Sequence, residues 1–287
     1  MNNRIKKIML IVIFLIGVII FIYPIVSEMI KSYLMQHTIV EYKKEILNNN
    51  EDNKKEEIDS LYNKMKEYNE KIYIDGQKTL VDPFSYEAIS FNLLDFGFKD
   101  NIFGYITIPK MNIEVPIYLG ATKENMNKGA VHLSETSIPI GGVNTNSVIA
   151  AHRGMPSHPM FRDIELLEIG DKIIINNHWE TLTYEVKETK VINPGEISEV
   201  LIQDGKELVT LITCHPYTKN YHRYVVYCER KNKEDTIENN GALEIKNQDT
   251  KKEYNLIKIE KLLRYVGFAI IIILLLVVIM EKKIKRK

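Results

Sequence analysis

The chain has 287 residues, 45% hydrophobic and 26% charged, with a formal net charge of zero, which suffices for one sizeable folded domain with extensions. The zero hides a partition: basic residues crowd toward the two ends and the stretch between them is mildly acidic, which argues against a nucleic-acid partner. No cofactor and no metal are expected.

Residues 8 to 26, IMLIVIFLIGVIIFIYPIV, form an uncharged apolar block long enough to cross a bilayer at about 1.5 Å per helical residue. With Arg4, Lys6 and Lys7 ahead of it, the block reads either as a signal peptide or as a retained anchor. It exceeds an ordinary signal core and no small-x-small cleavage pattern follows Tyr23-Pro24-Ile25-Val26-Ser27-Glu28, so the anchor is the preferred reading. A second block, LLRYVGFAIIIILLLVVIM from Leu262 to Met280, is followed by Lys282, Lys283, Lys285, Arg286 and Lys287. Basic residues outside both spans place both termini in the cytoplasm and the middle of the chain outside.

From Ser27 to about Ile74 the sequence is charged and rich in helix formers, and Ile58, Leu61, Met65, Tyr68 and Ile72 form one apolar stripe on a helix. Asn48-Asn49-Asn50 separates this helix from an earlier one around Met29 to Leu47. A helical hairpin packed on the domain is expected rather than a coiled coil, which needs more heptads than the stripe covers.

Beyond Asp100 the texture changes to short runs of Ile, Val, Tyr and Thr broken by Gly, Pro and Asn. GYITIPKMNIEVPIYLG, NSVIAAHRG, DKIIINNHWETLTYEVKETKVI, ELVTLITC and YHRYVVYCER each read as a strand or hairpin, with one helix-like stretch at PMFRDIELLEIG; such a series predicts a closed or nearly closed β-barrel. KNKEDTIENNGALEIKNQDTKKEYN, after Arg230, reads as a polar linker to the second span. The expected organisation is therefore residues 1–27 cytoplasmic start and first span, 28–99 helical segment, 100–232 barrel, 233–260 linker, and 261–287 second span with its basic tail.

The candidate chemistry centres on Cys214. It stands where the apolar run TLIT gives way to HPYTKNY, whereas a cysteine kept for packing belongs deep inside such a run. A nucleophilic cysteine needs a base or a cation beside it, because the thiolate is the reactive species. If the flanking runs are antiparallel neighbours, Cys214 and Arg223 meet at the mouth of the pair, and side-chain alternation turns His215 and His222 to the other face. The imidazole must then come from elsewhere. His152, ending NSVIAA at a strand-to-loop boundary, is the best source, with an ordinary loop histidine as the bland alternative; His158 and His178 have weaker claims. Cys228 lies about 16 Å farther along the strand than Arg223 at ~3.3 Å per residue, beyond the reach of a disulfide to Cys214, and is expected to be a packed thiol.

These residues resemble the sortases, and among them class C, the pilus-assembling branch. TLITC followed by Pro216-Tyr217, Asn220 and His222-Arg223 is similar to that branch's cysteine-to-arginine segment, SVIAAHRGMPS to its histidine segment, GYITIPKMNIEVPIYLG to its opening strands, and Val81-Asp82-Pro83-Phe84 to its lid. The resemblance implies a mainly β fold: a sortase-like closed barrel with short helices, preceded by a helical segment and flanked by two transmembrane helices. It implies Cys214 as nucleophile, His152 as proton donor and acceptor, Arg223 as the cation that positions substrate and stabilises the oxyanion, and Asp82, Pro83 and Phe84 as a lid over the empty site. Such enzymes cleave an LPXTG-type sorting signal between Thr and Gly, hold the acyl group as a thioester, and pass it to a lysine of the next pilin subunit. The implied partners are pilins or other surface proteins carrying that signal, together with the membrane. This chain departs from the pattern after the cysteine, with His215 where a small residue is common and Thr218 where Gly is common. Two other readings stand beside pilin polymerisation: attachment of surface proteins to the peptidoglycan cross-bridge, and a non-enzymatic sortase-like binding ectodomain.

Overall fold

The computed structural model describes residues 3–48, 52–86, 89–98, 100–154, 160–231 and 267. The chain divides into two units, one formed by Met1–Ser27 with Glu244–Lys287 and the other by Glu28–Leu243. In the first, the described residues are helical, and the apolar side chains of Ile11, Ile13, Ile16, Ile19 and Ile20 are exposed. That is the surface expected of a helix made to face lipid. The linker and nearly all of the second apolar block lie outside the described residues.

Helix α1 runs unbroken from Asn3 to Asn48 with Pro24 inside it, so the first apolar block and the helix expected from Met29 onward are one element. The change in composition near Ser27 does not interrupt the backbone, because residues on both sides are helix-compatible. Helix α2 follows at Asp52–Asp75. Its stripe docks as expected, with Leu61, Met65 and Ile72 buried. Polar side chains fix it further: Asn69 donates to the Ile138 carbonyl at 3.0 Å and accepts from the Ile138 amide at 2.7 Å. The Tyr42 hydroxyl of α1 donates to the Phe103 carbonyl at 2.6 Å.

The barrel strands are β1 (Ile102–Ile108), β2 (Ile113–Leu119), β3 (Ala130–His132), β4 (Thr145–Ala150), β5 (Lys172–Asn176), β6 (Thr181–Ile192), β7 (Glu207–His215) and β8 (His222–Arg230). They close in the order β1-β2-β3-β4-β7-β8-β6-β5. The pairs β2–β3 and β4–β7 are parallel and the others antiparallel. A short helix, α3 (Lys123–Lys128), joins β2 to β3. Neither α3 nor the three-residue β3 is legible in the sequence, since both are too short to show a period. Among the described residues of PMFRDIELLEIG, from Met160 onward, the helical element is a 3₁₀ turn at Ile164–Leu166, with Phe161, Ile164 and Leu167 in the main core.

Strands β4 and β7 are buried along almost their whole length. Ile149, Val209 and Leu211 join the main core, while Val148, Ala150 and Ile212 pack in a second layer with Leu80, Leu133, Ile192 and Val200. Burial on both faces accounts for the near-continuous apolar runs of these parallel strands. His152 and Cys214 stand just where those runs end.

Candidate active site

The site is assembled by the ends of β4, β7 and β8. The last ladder pair between β4 and β7 joins Ala150 to Ile212, and two bonds extend it: the Ala151 amide donates to the Ile212 carbonyl at 3.2 Å, and the Thr213 hydroxyl donates to the Ala151 carbonyl at 2.7 Å. His152 follows at once, half-buried, its carbonyl accepting from the Phe161 amide at 3.1 Å. Across the hairpin Cys214 pairs with Arg223 and His215 with His222, the register anticipated from the spacing.

Arg223 is 7% exposed. Its Nε donates to Asp82 Oδ1 and its Nη2 to Asp82 Oδ2, both at 2.7 Å. Nη1 donates to the carbonyls of Asn220 and His222 at 3.1 and 2.9 Å. This is the side-by-side fork that a guanidinium forms with a carboxylate. Asp82 opens a 3₁₀ turn at Pro83–Ser85, where Pro83 supplies the φ the turn needs and gives up an amide that has no partner there. The ring of Phe84 lies 4.8 Å from the Arg223 guanidinium and 6.1 Å from the His152 ring. Val81, Asp82 and Pro83 share a groove with Leu133, Ile192, Pro194, Ile197, Val200 and Ile212. The segment is held upstream by Gln77, which donates to the Glu135 carbonyl at 3.0 Å and accepts from the Ile202 amide at 2.7 Å.

Burial pushes the Cys214 thiol above its ordinary range; Arg223 pulls it down, Asp82 pushes it up again, and Arg153 pulls it down. Burial, aided by the charge of Lys31, pushes the His152 imidazole below its ordinary range. Burial works against the charge of Arg223, and its bonds to Asp82 more than offset that. Near neutrality the site therefore holds a neutral thiol, a neutral imidazole and a guanidinium occupied by Asp82.

The remaining sequence candidates fall elsewhere. His178 is packed among Tyr42, Phe98 and Trp179, and His158 lies outside the described residues. Cys228 is a free, fully buried thiol opposite Val209. His222 bonds Asn193 at 3.1 Å. Thr218 has φ +71°, a left-handed conformation that favours glycine. What sequence reasoning missed is a buried charged group behind the thiol, formed by Arg153, Glu165 and His215. Its one signal was an arginine directly after His152, at the end of an apolar run.

A closed eight-stranded barrel with a cysteine, a histidine and an arginine at neighbouring strand ends is the layout of the sortase class. The Sortase domain model matches residues 106–231. The solved structure of Sortase C1 of Pilus Island 1 from Group B Streptococcus is similar, with a TM-score of 0.62 and 30% identity over 69% of this chain and 98% of that one. Sortase C-1 from Streptococcus pneumoniae matches with a TM-score of 0.59 and 32% identity over 68% of this chain and 98% of that one. Sortase D of Bacillus subtilis strain 168 is 31% identical over 130 residues, 44% of this chain and 63% of that relative, so less than two thirds of the curated relative is spanned. The chain belongs to the sortase family, and its structural neighbours are class C members.

Proposed function

We propose that the chain is a membrane-anchored cysteine transpeptidase that polymerises pilin subunits. The observation that carries this reading is the pairing of Cys214 with Arg223 under a segment whose carboxylate occupies that arginine. A sorting signal of the LPXTG type displaces the Val81–Phe84 segment and frees the guanidinium. The Cys214 sulfur attacks the Thr carbonyl carbon, its proton passing to His152. Arg223 faces the charge that develops on the carbonyl oxygen, His152 protonates the departing Gly nitrogen, and a thioester remains. A lysine amine of the next subunit then attacks the thioester, losing its proton as the thiol is restored, so one difficult step is divided into two.

The long apolar helix at the N-terminus supports anchoring. A Cβ added at Gly267, within the second apolar block, would meet the ring of Phe21 in the first, which supports two paired spans; the basic residues beyond both blocks support cytoplasmic termini and an external barrel. The test is the purified full chain in detergent with a sorting-signal peptide and two competing acceptors, a lysine-bearing pilin-like peptide and an oligoglycine. The expected product is the lysine isopeptide, absent with Cys214→Ala. Exclusive oligoglycine product points instead to cross-bridge attachment, and turnover by Cys214→Ala refutes the nucleophile.

A further inference from the structure

The charged group behind Cys214 takes no part in the chemistry just described. Arg153 and His215 are 4% and 8% exposed, and the side chains of Arg153 and Glu165 are each 2% exposed. Removing such charges from water costs several kcal/mol per ion, so mere packing would be served better by apolar residues. Arg153 Nη2 pairs with Glu165 Oε1. Its Nη1 lies 2.7 Å from His215 Nδ1 and 3.4 Å from the Cys214 carbonyl oxygen, and Glu165 Oε1 lies 3.4 Å from the same Nδ1. An arginine can only donate, so Nδ1 accepts and the imidazole carries its proton on Nε2. The ring of Tyr224 closes the group, 5.9 Å from the guanidinium and 5.8 Å from the imidazole.

The placement of these residues in the chain is the informative part. Arg153 directly follows His152, and His215 directly follows Cys214. The backbone ladder between β4 and β7 ends at Ala150 and Ile212, before either reacting residue. Beyond it, the Arg153–His215 bond acts as one more rung, made by side chains on the face opposite the reacting one. Glu165 anchors that rung from the 3₁₀ turn at Ile164–Leu166, in the same loop whose Phe161 amide holds the His152 carbonyl.

We propose that Arg153, Glu165 and His215 are positioning residues that clamp the ends of β4 and β7 together, setting His152 against Cys214 for proton transfer. The inference rests on the transpeptidase reading above. Small displacements of reacting groups carry large rate penalties, so a loosened clamp lowers turnover while substrate binding and thiol access persist.

The test uses the full chain in detergent and measures transacylation kcat and KM, the rate of Cys214 alkylation by iodoacetamide, and thermal unfolding. His215→Ala is expected to lower kcat by about 10- to 100-fold with KM and alkylation within about twofold of the parent. His215→Asn places an acceptor oxygen where Nδ1 stood and is expected to restore kcat to within about threefold, since Asn accepts through its side-chain carbonyl. If His215→Ala fails to fold, the isosteric Glu165→Gln carries the same test. The clamp is refuted if these variants keep the parent kcat, if His215→Asn is as slow as His215→Ala, or if alkylation falls in step with turnover. Activity persisting in Cys214→Ala overturns the underlying reading instead, so the two failures are distinguishable.

Discussion

Asp82→Ala tests the lid most directly, because it removes both bonds to Arg223 and leaves Phe84 in place. The two side chains are 8% and 17% exposed, so the pair falls between exposed ion pairs, worth about 0–1 kcal/mol, and fully buried ones, whose disruption costs about 3–5 kcal/mol. A loss of about 2 kcal/mol corresponds to roughly 30-fold more open lid at 1.4 kcal/mol per decade. The assay is the second-order rate of Cys214 alkylation by iodoacetamide across pH. Two effects separate in that profile. The midpoint falls, because Asp82 is one of the groups that raise the thiol. The high-pH plateau, where every thiol is ionised, rises about 30-fold and reads the open fraction alone. A plateau within about twofold of the parent would show that the Asp82–Arg223 pair does not hold the site shut.

Arg223→Lys is expected to be poorly active despite keeping the charge, since an ammonium lacks the planar fork; steady-state transacylation checks this, and parent-like kcat/KM would show that charge alone suffices. Acid should destabilise the barrel through His132 and His178, both pushed down to about 4 by burial. Unfolding returns each to its ordinary value near ~6.5, so the unfolded chain binds more protons between these limits and stability falls as pH drops through that window. Each histidine contributes about 3 kcal/mol to the loss, to be measured as Tm against pH; a flat profile between pH ~6.5 and ~4 contradicts the burial argument. Gly104→Ala should weaken barrel closure by about 1–3 kcal/mol or more, because a Cβ there would run into the Asn176 backbone carbonyl; thermal unfolding reads the loss, and an unchanged Tm counts against it.

The parts of this protein legible in its sequence are those with a short-range physical signature. An apolar block marks the one described helix long and apolar enough to cross a membrane, a stripe on α2 marks its docked face, and runs of β-branched residues mark most strands. The face shared by Cys214 and Arg223 follows from strand alternation once the two runs are taken as a hairpin, which is why a nine-residue separation could be converted into a cross-strand pair. The segment proposed as a lid was singled out only through resemblance, since Asp-Pro-Phe by itself is an ordinary turn. Tertiary structure alone decided that β4 and β7 lie side by side as parallel neighbours, bringing His152 toward Cys214 across 61 intervening residues. It alone decided that Arg153, Glu165 and His215 share one buried pocket. Local sequence carries periodicity and turn chemistry because these act between near neighbours along the chain. Which distant charges meet depends on barrel closure and register, set by the summed packing of every strand at once, and no single segment contains that information.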